Sequence, residues 1–257
     1  MPRPALSIAM IVRDEAAMLP EFLARAAPHA DEIIVVDTGS RDGTAGIAAA
    51  AGCVVARFAW CDDFAAARNA SLDACTGDWV FVLDADERLD AAGWAAVRAL
   101  TAGPGNACYR FITRNYTHAA HLAGFVHCAP DDPHARGFAG WYPSGKVRLF
   151  PNRAGACFEG EVHELVNASL EARGFEVRTA DVPIHHYPLL KPEAALQAKR
   201  AHYLALGRAK AAARPGEAQP HLELGAQYLE TGDYANALRC YQAALRIEPA
   251  HPVALKD

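Results

Sequence analysis

No C-x-x-C pair occurs among the seven cysteines, which stand scattered at positions 53, 61, 75, 108, 128, 157 and 240. An odd set without C-x-x-C argues against a disulfide framework and a structural zinc site, and it suits a reducing compartment. Long apolar runs are missing too: none approaches the ~20 residues that span a bilayer. The first apolar stretch, Ala5 to Val12, has Arg3 in front of it. No small-x-small cleavage site follows, so a buried first strand is expected rather than a secretion signal. Positive charge is in deficit, with 25 Lys and Arg against 30 Asp and Glu, a net −5. That balance argues against a general nucleic-acid binder but leaves room for a local basic pocket. Neither G-x-x-x-x-G-K-S/T nor G-x-G-x-x-G is present, so the usual glycine-rich phosphate cradles are lacking. A cytoplasmic protein is expected, with the inner face of the membrane as a second place of work.

What is present is enough apolar material for a core: 52% of the 257 residues are hydrophobic and 21% charged. At ~150 residues per domain this length suggests one sizeable domain with an appendage. Short apolar runs at 6–12, 33–36, 53–58 and 79–83 read as strands buried on both faces. Helical patterns at 15–27, 44–51 and 63–75 alternate with them, stopped by Pro28, Gly52 and Gly77. Alternation of this kind predicts an α/β fold with a mostly parallel sheet and helices on both faces. From 101 to 160 Gly, Pro, His and aromatics become frequent and the apolar runs shorten (108–113, 147–150), as in an insertion that builds a pocket. Residues 192–213 return to helix.

The last forty residues carry a separate signal. In a repeat of roughly 34 residues starting at Ala218, the small residues Gly225, Gly232, Ala237 and Ala244 and the aromatics Tyr228 and Tyr241 fall where two repeat helices touch. Pro249 then follows the second helix. An ordinary helical hairpin is the alternative. His251 to Asp257 reads like the opening of another repeat helix.

Open parallel sheets bind nucleotides at the carboxyl ends of their strands. Two acid-bearing strand ends occur here, at Asp37 and at Asp84-Ala85-Asp86-Glu87. A D-x-D directly after the buried Trp79-Val80-Phe81-Val82-Leu83 can converge on one Mg²⁺ or Mn²⁺ that bridges a diphosphate, although solvated turn acids are the common explanation of such pairs.

Taken together, the blocks are recognisable. They are Met10-Ile11-Val12-Arg13-Asp14-Glu15, Asp31 to Ser40 with Asp42 and Thr44, Trp60 to Phe64 with Ala67-Arg68-Asn69, and Gly77-Asp78-Trp79 through Glu87. Lys146 to Phe150, Phe158 to Glu164 and His185-His186-Tyr187 complete the set. This ordered series resembles the inverting glycosyltransferases of family 2, in the bacterial branch that carries tetratricopeptide repeats. The resemblance implies a GT-A fold, Rossmann-like, over 1–190, a connecting helix over 191–216 and a tetratricopeptide-type hairpin over 217–257. It implies a nucleotide-sugar donor, with UDP the first expectation, and contacts from Val12, Asp37, Arg68, Asp84 and Arg148. Asp84 and Asp86 would hold the metal, Mn²⁺ or Mg²⁺, with His163 or His186 completing its shell. Inverting transfer needs one carboxylate to take the acceptor's proton; Glu164 is the first candidate, Glu161 the second and Glu159 the third.

Alternatives stay open at several of these residues. Arg68 lies four residues after Phe64 on one helix face and could instead be buried against an acid such as Asp63. Lys146 and Arg148 would meet phosphate or lie on a solvated strand face. His118, His121, His127, Cys128 and His134 fall close together, but their spacing fits no closed tetrahedral site, and a lid on the acceptor side is expected. A glycan, a lipid-linked molecule or a peptide could be the acceptor, and the repeat could recruit a second copy or a protein partner. Two rival functions are a degenerate transferase domain serving as an adaptor, and a nucleotidyltransferase. Val12-Arg13-Asp14-Glu15 lacks the glycine that the latter's phosphate loop would need.

Overall fold

Every second residue of the first strand faces the same layer, and that alternation organises the protein. In the computed structural model, which describes residues 3–103, 105–152, 155–162, 164–190 and 193–249, β1 (Leu6–Val12) is followed by α1 (Leu19–Ala26), β2 (Glu32–Asp37), α2 (Thr44–Ala50), β3 (Val54–Arg57), α3 (Phe64–Asp73) and β4 (Trp79–Val82). Then come β5 (Glu87–Arg88), α4 (Ala91–Leu100), β6 (Ala107–Thr117), β7 (Val126–His127), β8 (Gly140–Pro151), α5 (Asn167–Glu171) and β9 (Glu176–His186). Leu6, Ile8, Met10, Trp79 and Phe81 point into one layer, with Phe22 of α1 and Trp94 and Val97 of α4. Ala9, Ile34, Val36, Val80 and Val82 point into the other, with Leu72 of α3 and Leu170 of α5. Burial on both faces is why these strands read as continuous apolar runs.

The strands pair in the order β3-β2-β1-β4-β8-β6-β9-β5, with β7 on β8. β1 to β4 are mutually parallel, as expected from their alternation with helices. The other half is mixed: β8 runs antiparallel to β4 and β6, whereas β9 runs parallel to β6. The carboxyl ends of β1, β2, β4, β6 and β9 therefore share one edge, and the opening residues of β8 lie there too. Helix α4 and the strands β5 and β9 were not anticipated. β9 alternates with Arg178, Asp181 and Pro183 and has no buried run to betray it.

The chain divides into two compact units, 1–190 and 191–257. In the second, α6 (Glu193–Ala213), α7 (Ala218–Glu230) and α8 (Tyr234–Ile247) pack together. Tyr228, Ala237, Tyr241 and Ala244 form its core with Leu222, Leu224 and Ala211. Gly225 lets Tyr241 approach so closely that an added Cβ would stand 2.7 Å from the ring. The segment 251–257 and His163 lie outside the described residues. Among the described residues no helix is long and apolar enough to cross a membrane.

Candidate active site

At the shared edge β1 and β2 end beside each other, with Val12 in register with Asp37. The carbonyl of Val12 accepts from the Thr38 N–H at 3.0 Å and its hydroxyl at 3.1 Å. Asp37 is buried, and its Oδ1 accepts from the N–H groups of Ser40 (2.8 Å) and Gly39 (3.2 Å). Gly39 sits at φ +105°, a conformation that favours glycine, so the turn closes tightly on the carboxylate. The loops after β1 and β2 are then laced together: Asp14 accepts from Arg41 N at 2.7 Å, Glu15 N donates to Thr44 Oγ1 at 2.8 Å, and Ala16 N donates to Asp42 at 3.0 Å. This makes a preformed wall on one side of the edge.

Arg68 stands at the centre of the next group. Asp63 caps α3 by accepting from Ala66 N at 3.0 Å. The local cap thus occupies the acid that could have buried Arg68. The guanidinium instead reaches two distant carboxylates, donating from Nη2 to Asp84 Oδ1 at 2.6 Å and from Nε to Glu164 Oε1 at 3.1 Å. The arginine side chain is 7% exposed, that of Glu164 11% and that of Asp84 33%. Burial opposes ionisation of Asp84, but Arg68 and Arg148 overcome it and hold the carboxyl well below the usual range. Glu87 follows: it accepts from Asp84 N at 2.8 Å and from Arg148 Nη2 at 2.5 Å. Burial is the largest effect on Glu87 and pushes its pKa up, against the pull of Arg148. Lys146 is lowered by burial and by the neighbouring Arg148. Arg68, Lys146, Arg148 and Glu164 line one cleft of about 10 Å³, room for a single water.

Helix α3 also holds the segment that carries Glu164. The Asn69 amide pairs with the backbone of Phe158 at both ends, donating to its carbonyl at 3.0 Å and accepting from its N–H at 2.8 Å. Phe64 N donates to Glu161 O at 2.9 Å. Glu159 and Leu165 bond each other through N–H and carbonyl in both directions, closing the loop. Of the three candidate bases, Glu164 is the one tied into the Arg68 cluster. The side chains of Glu161 and Glu159 are exposed.

Asp86 and His186 meet because of topology. β9 ends beside the short β5, with Glu87 in register with His186, and Tyr187 N donates to Asp86 O at 3.0 Å. Asp86 Oδ1 then lies 3.4 Å from His186 Nε2, and His186 Nδ1 lies 2.7 Å from Asn115 Oδ1. Among the described residues no three metal-ligating side chains converge. That holds for the histidine-rich segment as well: His134 stacks on His185 at 3.8 Å, His118 lies against Phe138, and His127 against Phe125. Two residues of this site had been given no role. Glu87 was visible only as the last letter of an acidic run, and Asn115 carried no signal at all.

The glycosyl transferase family 2 model matches residues 7–120. Over that stretch the chain is similar to the family 2 glycosyltransferases. The matched residues run from β1 to just past β6 and include Arg68, Asp84, Asp86 and Asn115, while Glu164 and His186 lie beyond them. A TPR repeat-containing protein of Synechococcus elongatus is 41% identical over 167 residues, covering 65% of this chain and 36% of that relative. The chain therefore spans little more than a third of that relative's length. Among solved structures, a mannosyltransferase from Pyrobaculum calidifontis, in complex with GDP-Man and Mn²⁺, superposes with a TM-score of 0.51 at 19% identity, covering 100% of this chain and 79% of its own. Glucosyl-3-phosphoglycerate synthase from Mycobacterium tuberculosis, in complex with phosphoglyceric acid, gives 0.50 at 16% identity, with 79% of each chain covered. These two likenesses show the GT-A fold.

Proposed function

We propose that the unit 1–190 is a metal-dependent inverting glycosyltransferase that moves a sugar from a nucleotide-sugar, UDP-linked in the first instance, to an acceptor hydroxyl in the cytoplasm. The observation that carries this reading is Arg68, whose one guanidinium holds both Asp84, the first acid of the D-x-D, and Glu164, the candidate base. Chemistry at the donor and proton removal from the acceptor are thereby joined in one buried cluster.

Asp86 and His186 offer a carboxylate oxygen and an imidazole nitrogen 3.4 Å apart. Two protein donors suit Mg²⁺ or Mn²⁺, which commonly fill their remaining positions with water and substrate phosphate. When bound there, with Asp84 beside it, the metal would offset the charge that develops on the departing nucleoside diphosphate. Arg148 and Lys146 supply fixed positive charge to the same end, and Asp37 and Val12 line the nucleoside side. As the acceptor oxygen bonds to the anomeric carbon and the sugar–phosphate bond breaks, Glu164 takes the hydroxyl proton. The diphosphate would compete with Glu164 for Arg68, freeing the carboxylate for that task.

The unit 191–257 is read as a tetratricopeptide-type element for a protein partner or a second copy. Its support is that Tyr228, Ala237, Tyr241 and Ala244 of the repeat pattern are buried in the core of this unit and Gly225 packs against Tyr241. Gly232, expected at the same contact, instead lies exposed at φ +76° in the turn between α7 and α8.

The test is incubation with a panel of UDP- and GDP-sugars and Mn²⁺, following nucleoside diphosphate release. Release of pyrophosphate would make the protein a nucleotidyltransferase, and binding without turnover would make it an adaptor. Glu164→Gln should keep near-normal UDP affinity and slow transfer at least ~100-fold. Transfer within a few-fold of the unsubstituted protein would remove Glu164 from the role.

A further inference from the structure

Asn115 and His186 are register partners on the adjacent parallel strands β6 and β9. The Asn115 side chain is locked from the other side as well. Its Nδ2 donates to Tyr142 O and to Ser144 Oγ, each at 3.0 Å, and both acceptors belong to β8. With its NH₂ engaged there, the amide presents its oxygen to His186 Nδ1 at 2.7 Å. An amide oxygen only accepts, so the neutral imidazole carries its proton on Nδ1. The lone pair then sits on Nε2, aimed at the point where Asp86 Oδ1 lies 3.4 Å away. Asn115 is buried at 6% exposure, whereas the His186 side chain remains 23% exposed.

We infer that Asn115 is a positioning residue, which selects the His186 tautomer that leaves Nε2 free to act as a donor beside Asp86. The inference rests on the proposed metal reading. In the opposite tautomer Nε2–H would donate to Asp86, and one hydrogen bond would occupy both cation donors at once. A lone pair facing a carboxylate is repulsive by itself and becomes favourable when a cation lies between them. The hydrogen bond at Nδ1 is what sets the tautomer at Nε2. β8, β6 and β9 each contribute one layer of this arrangement, so the sheet itself fixes the ring.

The experiment uses the full chain labelled with ¹⁵N-histidine, without metal and at alkaline pH. The His186 ring signals are identified by their loss in His186→Gln. A long-range ¹H–¹⁵N spectrum should show His186 protonated on Nδ1. In Asn115→Leu the proton should move to Nε2, and affinity for Mn²⁺, measured by electron paramagnetic resonance with Mn²⁺ alone, should fall about 10- to 100-fold. Asn115→Asp loses the hydrogen bond to the Tyr142 carbonyl but retains an acceptor for Nδ1–H, and should keep the ring protonated on Nδ1. A ring protonated on Nε2 in the unsubstituted protein would overturn the inference. So would an unchanged Mn²⁺ affinity in Asn115→Leu. Should His186→Gln bind Mn²⁺ normally, it is the metal reading that fails. Weakened binding in that variant with normal binding in Asn115→Leu would fault the positioning role alone.

Discussion

Replacing Arg68 by Met keeps most of the stem's volume and removes the charge that two carboxylates share. Breaking a buried ion pair from one side costs about 3–5 kcal/mol, chiefly because the partner is left charged and undersolvated. Here the two partners are not equally exposed. Asp84 is 33% exposed and has Arg148 at 4.0 Å as a second cation, so water and that guanidinium absorb part of its loss. Glu164 is 11% exposed and bears the larger share. The low end of the range, about 3 kcal/mol, is therefore expected. All four tryptophans (60, 79, 94 and 141) belong to the unit 1–190. Urea unfolding followed by tryptophan fluorescence thus reports on the part that holds the site. The double variant Arg68→Met/Glu164→Gln, which removes the stranded charge, should recover more than half of the loss. A deficit below about 1 kcal/mol, the value of an exposed surface pair, would refute the account of Arg68 as a buried bridge. So would a double variant no more stable than Arg68→Met.

Two further outcomes are expected. Glu21 is held at about 2, first by its hydrogen bonds to Arg136 and then, against burial, by the charge of Arg88. A depressed carboxyl pKa means stability that is present above the ordinary value of 4.5 and lost as pH falls from there towards about 2. The side chain is 37% exposed, so screening reduces this contribution to about 1 kcal/mol. Glu21→Gln should be less stable at neutral pH by that amount, with the difference vanishing near pH 2 in acid-unfolding curves. An equal deficit at both pH values would contradict it. Gly225→Ala gains helix propensity but places a methyl group 2.7 Å from the buried Tyr241 ring. Overpacking should win, costing about 1–3 kcal/mol, read as faster amide exchange in α7 and α8. Unchanged or slower exchange would mean that the two helices separate without cost.

Much of the parallel half of the sheet was legible because its signals are local. Ile33 to Val36 and Trp79 to Leu83 are apolar on both faces, which only a strand between two layers can use, and glycine or proline follows most of the helices. Acids directly after such strands must emerge at the carboxyl edge, so Asp37, Asp84 and Asp86 could be named from position alone. The positions expected between the last two helices could be named in the same way, since helical spacing brings Gly225, Tyr228, Ala237 and Tyr241 to the contacting faces of α7 and α8.

Pairings over long separations were not legible. Arg68 had a nearby acid in Asp63, but the backbone N–H of Ala66 claims that carboxylate as a cap, and the choice passes to Asp84 and to Glu164, 96 residues away. Asp86 meets His186 only because β9 adds in parallel to β6 and then receives β5 along its far side. Asn115 orients that imidazole only because β8 engages its NH₂ group. Residue type and spacing along the chain determined which groups reach the carboxyl edge. The order and direction of the strands decided which of them face one another there, because hydrogen-bond registry between strands distant in sequence has no counterpart in any local pattern.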